Sequence, residues 1–216
     1  MNQIVPPSFL FHYSLGMPKE ERLPGPKGAM IPAAIPPLMI PSSLNSSEQR
    51  FQLRAAWSED GIALSVKVQG KSSEPSGTWT NLRDSDYLFV CINTRHNTNV
   101  HRVTEFCLAF QVLVRDEDNQ DSPSIKFYEY AQRATKVNFD PRRCRAESKM
   151  HDKGYQLELW VPASQIPGFG DAMEIGHIGF YLIVHDADRG EFPLSVGGDF
   201  PVTHDPSTWI QLDLQS

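Results

Sequence analysis

Between Gly154 and Asp188 two runs of alternating residues follow one another, and together they leave few architectures open to the chain. In the first, Tyr155, Leu157, Leu159 and Val161 fall on one face and Gln156, Glu158 and Trp160 on the other. This period of two is the pattern of a half-buried antiparallel strand, because successive side chains of a strand point to opposite sides. Pro162 ends the run, having no backbone N–H to give to a ladder. In the second run, Ile178, Phe180, Leu182 and Val184 alternate with Gly179, Tyr181, Ile183 and His185, which predicts a central strand covered on both faces. It leads into His185-Asp186-Ala187-Asp188, polar side chains at the edge of a sheet, where loops gather and sites form.

The rest of the chain repeats the pattern. Residues 8–14 read as an opening strand, and from Gly16 to Ser47 seven prolines interleave with Met30, Ile31, Ile35, Leu38, Met39 and Ile40. A free linker is polar, so these apolar residues point to an extended arm lying on the body; a disordered proline-rich lead is the alternative on composition. The body begins at Arg50. Leu53 to Val68 forms a hairpin around a Gly-bearing loop, Tyr87 to Asn93 a strand, and Thr104 to Val114 a long strand. Residues 125–134 are a weaker strand, Ala146 to Val161 a second hairpin, and Trp209 to Leu214 a closing strand. Roughly nine or ten strands with regularly spaced loops predict an all-β, two-sheet antiparallel sandwich. A single domain over 1–216 is expected, 1–49 forming the opening strand and arm and 50–216 the sandwich body.

Composition narrows the functions. Twenty Lys and Arg against 26 Asp and Glu give a formal charge of -6, which disfavours nucleic acid and anionic membrane surfaces as partners. Cys91, Cys107 and Cys144 cannot all pair within one chain and none lies in a CxxC spacing; Cys91 and Cys107, inside strand patterns, are expected as small buried hydrophobes. The first 15 residues lack the basic and apolar regions of a signal peptide, and no apolar run is long enough to span a bilayer. The sequence as written thus reads as soluble and cytoplasmic, and as secreted or periplasmic if a leader precedes it. No GxSxG, HExxH, Walker or GxGxxG motif is present, so an enzyme is not expected.

The blocks WSEDGIALSVKVQGK, WTNLRDSDYLFVCINTR, GYQLELWVPASQI, IGHIGFYLIVHDAD and PSTWIQLDL, in that order, resemble the family 9 carbohydrate-binding modules and the wider DOMON-like sandwiches. The similarity covers about Arg50 to Leu214, and bacterial proteins with a segment like His101-Arg102-Val103-Thr104-Glu105-Phe106-Cys107 share it. The resemblance implies the sandwich and a non-catalytic saccharide-binding role, commonly beside a hydrolase. It also implies an alternative, a b-type haem held by axial Met, His or Lys, and it allows a structural calcium, for which Asp186 and Asp188 are candidate oxygen donors. A generic protein-interaction sandwich is the third option.

Candidate ligand-binding residues are Trp79, Arg95, His101, Arg102 and Asp186. Trp79 lies in a polar loop, where an aromatic ring either stacks on a sugar or caps the sandwich as packing. Arg95, His96, His101 and Arg102 form a basic cluster able to donate to sugar hydroxyls or a carboxylate. Trp160 and Trp209 are expected in the core, and Asp84 and Asp86 as turn formers. One pocket holding Trp79 and the basic cluster together is the expectation.

Overall fold

The computed structural model describes residues 13–27, 29–44, 50–130 and 136–216. The opening strand expected over 8–14 lies, but for its last two residues, outside them. The described strands are β1 (Ser14–Pro18), β2 (Phe51–Ser58), β3 (Gly61–Gln69), β4 (Tyr87–Asn93), β5 (Cys107–Asp116) and β6 (Ser122–Phe127), followed by β7 (Arg145–His151), β8 (Gly154–Pro162), β9 (His177–Asp186), β10 (Gly190–Pro193) and β11 (Ile210–Gln215). One short helix, α1 (Phe169–Ile175), precedes β9.

Alternation sorts these strands into two sheets, because each offers one apolar face. The smaller sheet has the order β2-β3-β8-β7; the larger runs β1-β11-β9-β4-β5-β6, with β10 also paired to β9. Leu64, Val66, Leu157 and Leu159 from one sheet meet Val90, Phe180, Leu182 and Leu212 from the other, all at most 1% exposed. The expected sandwich and its inner face are therefore present. One pairing departs from the antiparallel expectation: β1 runs parallel to β11, Ser14 opposite Gln211 and Pro18 opposite Gln215. It starts where sequence regularity fades and covers an edge that would otherwise expose unpaired backbone.

The proline-rich arm lies on the outer face of the smaller sheet. Leu23, Met30 and Ile31 pack on Trp160 and on the cross-strand pair Ala56 and Ala63, whose small side chains let the arm approach closely. The Met30 N–H donates to Glu158 Oε2 at 2.6 Å, satisfying a carboxylate that is 5% exposed.

β9 is covered on both faces, as its sequence predicts. Outside the larger sheet Phe89, Cys91, Cys107, Ala109, Tyr181 and Ile183 form a second apolar layer under Tyr130, Val196, Val202 and Trp209. The Trp209 indole donates to the Val202 carbonyl at 2.7 Å, so this tryptophan is core. Burial pushes the Cys91 thiol far up and the Cys144 thiol up to about 12, which makes both poor nucleophiles. The covering segments leave a strip of the outer face open beside Tyr87 and His185, both half-buried.

Candidate functional site

The expected pocket is divided between two ends of the sandwich. β4 pairs with β9 so that Tyr87 lies opposite His185 and Asn93 opposite Gly179. Asp186 and the loop before Tyr87, which carries Trp79, therefore sit at one end, and Arg95 and His101, which follow Asn93, at the other. Six strand steps of about 3.4 Å separate them by about 20 Å, too far for one small-ligand pocket. Tryptophan and basic cluster belong to different surfaces.

At the Asn93 end, Arg95 lies 3.8 Å over the Phe106 ring and pairs with Asp171 at 2.7 Å, a clip between a loop and α1. Arg102 is exposed. His101 lines a cavity of about 550 Å3 with His96, Ser195, Phe200, Asp205 and Trp209. Its Nδ1 lies 3.1 Å from Asp205 Oδ2 and 2.9 Å from Ser207 Oγ, and the Ser207 hydroxyl donates to Asp205 Oδ1 at 2.6 Å. A hydrolytic triad needs the acid and the nucleophile on opposite ring nitrogens. Here both address Nδ1 and the serine proton is given to the carboxylate, while Asp205 caps a 3-10 turn through the Ser207 N–H. Burial would raise the Asp205 carboxyl, but the bonds from Ser207 and His101 hold it below its usual range. The trio is a turn clasp.

At the opposite end Asp186 is fully buried. Lys71 Nζ lies 2.7 Å from Asp86 Oδ1, 2.9 Å from Asp186 Oδ1 and 3.5 Å from Asp188 Oδ2, and Arg189 grips Asp186 Oδ2 at 2.6 Å. Asp186 is thereby spent inside the fold, which removes it from contact with a ligand. Burial would pull the Lys71 pKa down, but the bonds to Asp86 and Asp186 raise it. Burial likewise opposes ionisation of Asp186, and Arg189 and Lys71 outweigh it and keep the carboxyl low. The same geometry bears on calcium. Asp186 and Asp188, the expected oxygen donors, already surround an ammonium, so the residues present do not fit a divalent cation at that position.

This clasp fixes the loop between β3 and β4. Lys71 and Asp86 bracket it, the Ser76 N–H donates to Asp86 Oδ2 at 3.1 Å, and the Ser72 and Ser73 N–H groups donate to Asp188 Oδ2. Gly77 lies against the outer face: a Cβ there would stand 2.8 Å from Leu113 Cδ2 and 3.0 Å from Ser85 Cβ, so the close approach selects glycine. Two residues on, the Trp79 indole donates to Ser124 Oγ at 2.9 Å and Lys126 Nζ stands 5.5 Å from the ring centroid.

Register then places the neighbours. One row across the outer face is Ser124, Leu113, Tyr87, His185 and Glu191; the next contains Lys126, Gln111, Phe89 and Ile183. Tyr87 and His185 stack at 4.7 Å with an interplanar angle of 14°, and Tyr128 meets Phe89 edge-on at 5.0 Å. Trp79, Tyr87, Gln111, Tyr128 and His185 are half-buried, and Lys126 and Glu191 exposed. Half-exposed aromatic rings, amide, ammonium and carboxylate therefore share one strip. Among these, sequence reading found Trp79. Tyr87 and His185 were findable as the polar-edged ends of two strong strand patterns, whereas Lys71, in a run of loop residues, carried no signal.

No family model matches the sequence, and no curated protein matches it. Solved structures match in three dimensions. A family 9 carbohydrate binding module from Caldicellulosiruptor kristjanssonii, in complex with cellotriose, superposes with a TM-score of 0.54 at 14% identity, covering 77% of this chain and 75% of that one. The glucose complex from the same organism gives 0.55 at 14%, covering 77% and 76%. A Bacteroides uniformis ATCC 8492 protein to which carbohydrate binding has been ascribed gives 0.60 at 14%, covering 94% and 99%. The fold is that of the family 9 carbohydrate-binding modules.

The two fully buried thioethers do not converge on a haem. Met17 is buried in the main core and Met30 under the arm, while Met39 and Met150 are 57% and 39% exposed. The buried thioethers thus belong to two separate apolar clusters, with no shared cavity in which to bind one iron. No helix among the described residues is long and apolar enough to cross a membrane.

Proposed function

We propose that this protein is a non-catalytic saccharide-binding module whose contact surface is the outer-face strip around Trp79. The observation that carries the reading is the juxtaposition of a half-exposed indole, held by Ser124, with the Tyr87–His185 stack and the polar groups of Gln111, Lys126 and Glu191. A pyranose ring offers an apolar C–H face and a rim of hydroxyls. An aromatic plane takes the first, and amide, ammonium and carboxylate groups take the second. Arg95, His101 and Arg102 belong to the other end and are not contacts in this reading; Asp186 acts behind the loop rather than on the ligand. Cellotriose and glucose, the ligands of the two superposed complexes, are the natural first probes.

Isothermal calorimetry with glucose, cello-oligosaccharides and then a glycan array tests it. Binding that is abolished in Trp79→Ala and retained in His101→Ala supports the strip. Loss in His101→Ala with Trp79→Ala unaffected moves the ligand to the 550 Å3 cavity, and no binding to any glycan overturns the saccharide reading.

A further inference from the structure

We propose that the Lys71 ammonium does in this fold the work of a divalent cation, and that Asp86, Asp186 and Asp188 become a calcium site once that ammonium is removed. Lys71 is 2% exposed and its side chain fully enclosed, with three carboxylates converging on one nitrogen at 2.7, 2.9 and 3.5 Å. Those carboxylates are set for a cation by the backbone: Ser76 and Ala187 N–H groups donate to Asp86, Asp188 N–H to Asp186, and Ser72 and Ser73 N–H groups to Asp188. The oxygens thus come from two segments, the residue that precedes β4 and the end of β9 with its turn, and Lys71, from the far edge of the β3–β4 loop, places its positive charge between them.

Charge and size both favour the exchange. Three carboxylates face Lys71 and Arg189, a formal sum of one negative charge; without Lys71 the sum is three negative against one positive, and a calcium ion brings it to zero. Calcium takes oxygen ligands at about 2.3–2.6 Å and tolerates irregular geometry, so Asp86 and Asp186, at 2.7 and 2.9 Å, need draw in by a few tenths of an ångström and Asp188, at 3.5 Å, by about 1 Å. The space vacated by the lysine stem admits water for the remaining positions. The Tyr155 hydroxyl, buried and without a hydrogen-bond partner among the described residues, lies within the field of Asp86 and Asp186. Magnesium, which demands a tighter octahedral shell, fits this cradle less well. The consequence for the native chain is a loop fixed without metal.

Thermal unfolding of the wild type and Lys71→Ala tests it, each dialysed against EDTA and then given calcium or magnesium chloride at about 5 mM. The wild-type Tm is expected to stay within about 1 °C throughout, while the variant is expected to lose several degrees in EDTA and regain about 5 °C or more with calcium but not magnesium. A wild-type Tm that falls in EDTA and returns with calcium overturns the proposal whatever the variant does. So does a Lys71→Ala chain as stable as the wild type in EDTA, or one blind to calcium, folded or unfolded.

Discussion

Trp79 and Ser124 are joined by a 2.9 Å hydrogen bond from the indole N–H to the serine Oγ, which fastens a loop residue to the edge strand β6. Ser124 in turn donates its own proton to Asp116, a carboxylate 3% exposed that also accepts from the Asp118 N–H. A chain of two hydrogen bonds therefore ties the indole to a buried carboxylate. Ser124→Ala is expected to cost about 2–3 kcal/mol of stability, since it removes a hydrogen bond to a buried carboxylate as well as the bond from the indole, and to weaken saccharide binding several-fold by freeing the ring. Urea unfolding and calorimetry on the same preparation check it; an unchanged affinity means that the ring is oriented by something other than Ser124.

Leu182 is at the centre of β9, fully buried between Val90 on the paired strand and the facing sheet. Removing its isobutyl group takes away buried transfer energy and leaves a cavity that rigid strands on both sides cannot close. Leu182→Ala is expected to cost about 2–5 kcal/mol, read by urea unfolding. A near-neutral variant would mean that β9 is not the central strand.

How far the sequence reveals the molecule depends on the range of the interaction. The strands of β2–β3, β4, β7–β8, β9 and β11 are legible because burial on one face writes a period of two into each, independent of what lies opposite. The Gly-bearing loop between β2 and β3 is legible as a turn, but its polar run Ser58 to Gly61 does not show that pairing extends to Ser58 and Gly61 and leaves two residues between them; local polarity marks a turn without fixing its register. The parallel β1–β11 pair joins residues about 200 positions apart, beyond any local pattern. The candidate site failed for the same reason. Trp79 and Arg95 are near in sequence, yet the intervening strand carries them to opposite ends, and Lys71 gains its role only when three distant carboxylates fold around it.

Two glycines are expected to answer substitution with opposite signs. A Cβ on Gly154 would meet the Val68 carbonyl oxygen at 2.1 Å and its carbon at 3.0 Å, both backbone atoms of the paired strand β3. Nothing there can rotate away, so Gly154→Ala is expected to destabilise by about 2 kcal/mol or more. Gly170 lies in α1 with nothing within 4 Å of an added Cβ. Gly170→Ala is expected to be stabilising by up to about 1 kcal/mol, since alanine loses less backbone freedom on folding. Paired thermal melts decide both.

The ammonium clasp also fixes how stability varies with pH. Asp188 is held below its usual range first by the Ser73 hydroxyl and also by the Ser73 N–H and Lys71, and Asp186 is held low by Arg189 and Lys71 against the opposing effect of burial. A carboxyl with a depressed folded pKa contributes stability that is complete above its unfolded value, near 4, and lost as pH falls towards the folded one. Lys71 is raised, so its contribution is complete below the unfolded value, near 10.4, and lost as pH rises through the folded pKa. Unfolding free energy is therefore expected to hold a plateau from about pH 5 to about pH 10 and to fall beyond either edge. Asp188 is the partner nearest to solvent, 21% exposed, and tests the acid limb without emptying the interior. Asp188→Asn keeps an acceptor for the serine donors and removes the charge, so it is expected to flatten the fall below pH 4 while leaving the alkaline limb in place. Urea titrations across the range read both limbs, and an acid limb as steep in the variant as in the wild type would show that Asp188 adds nothing to it.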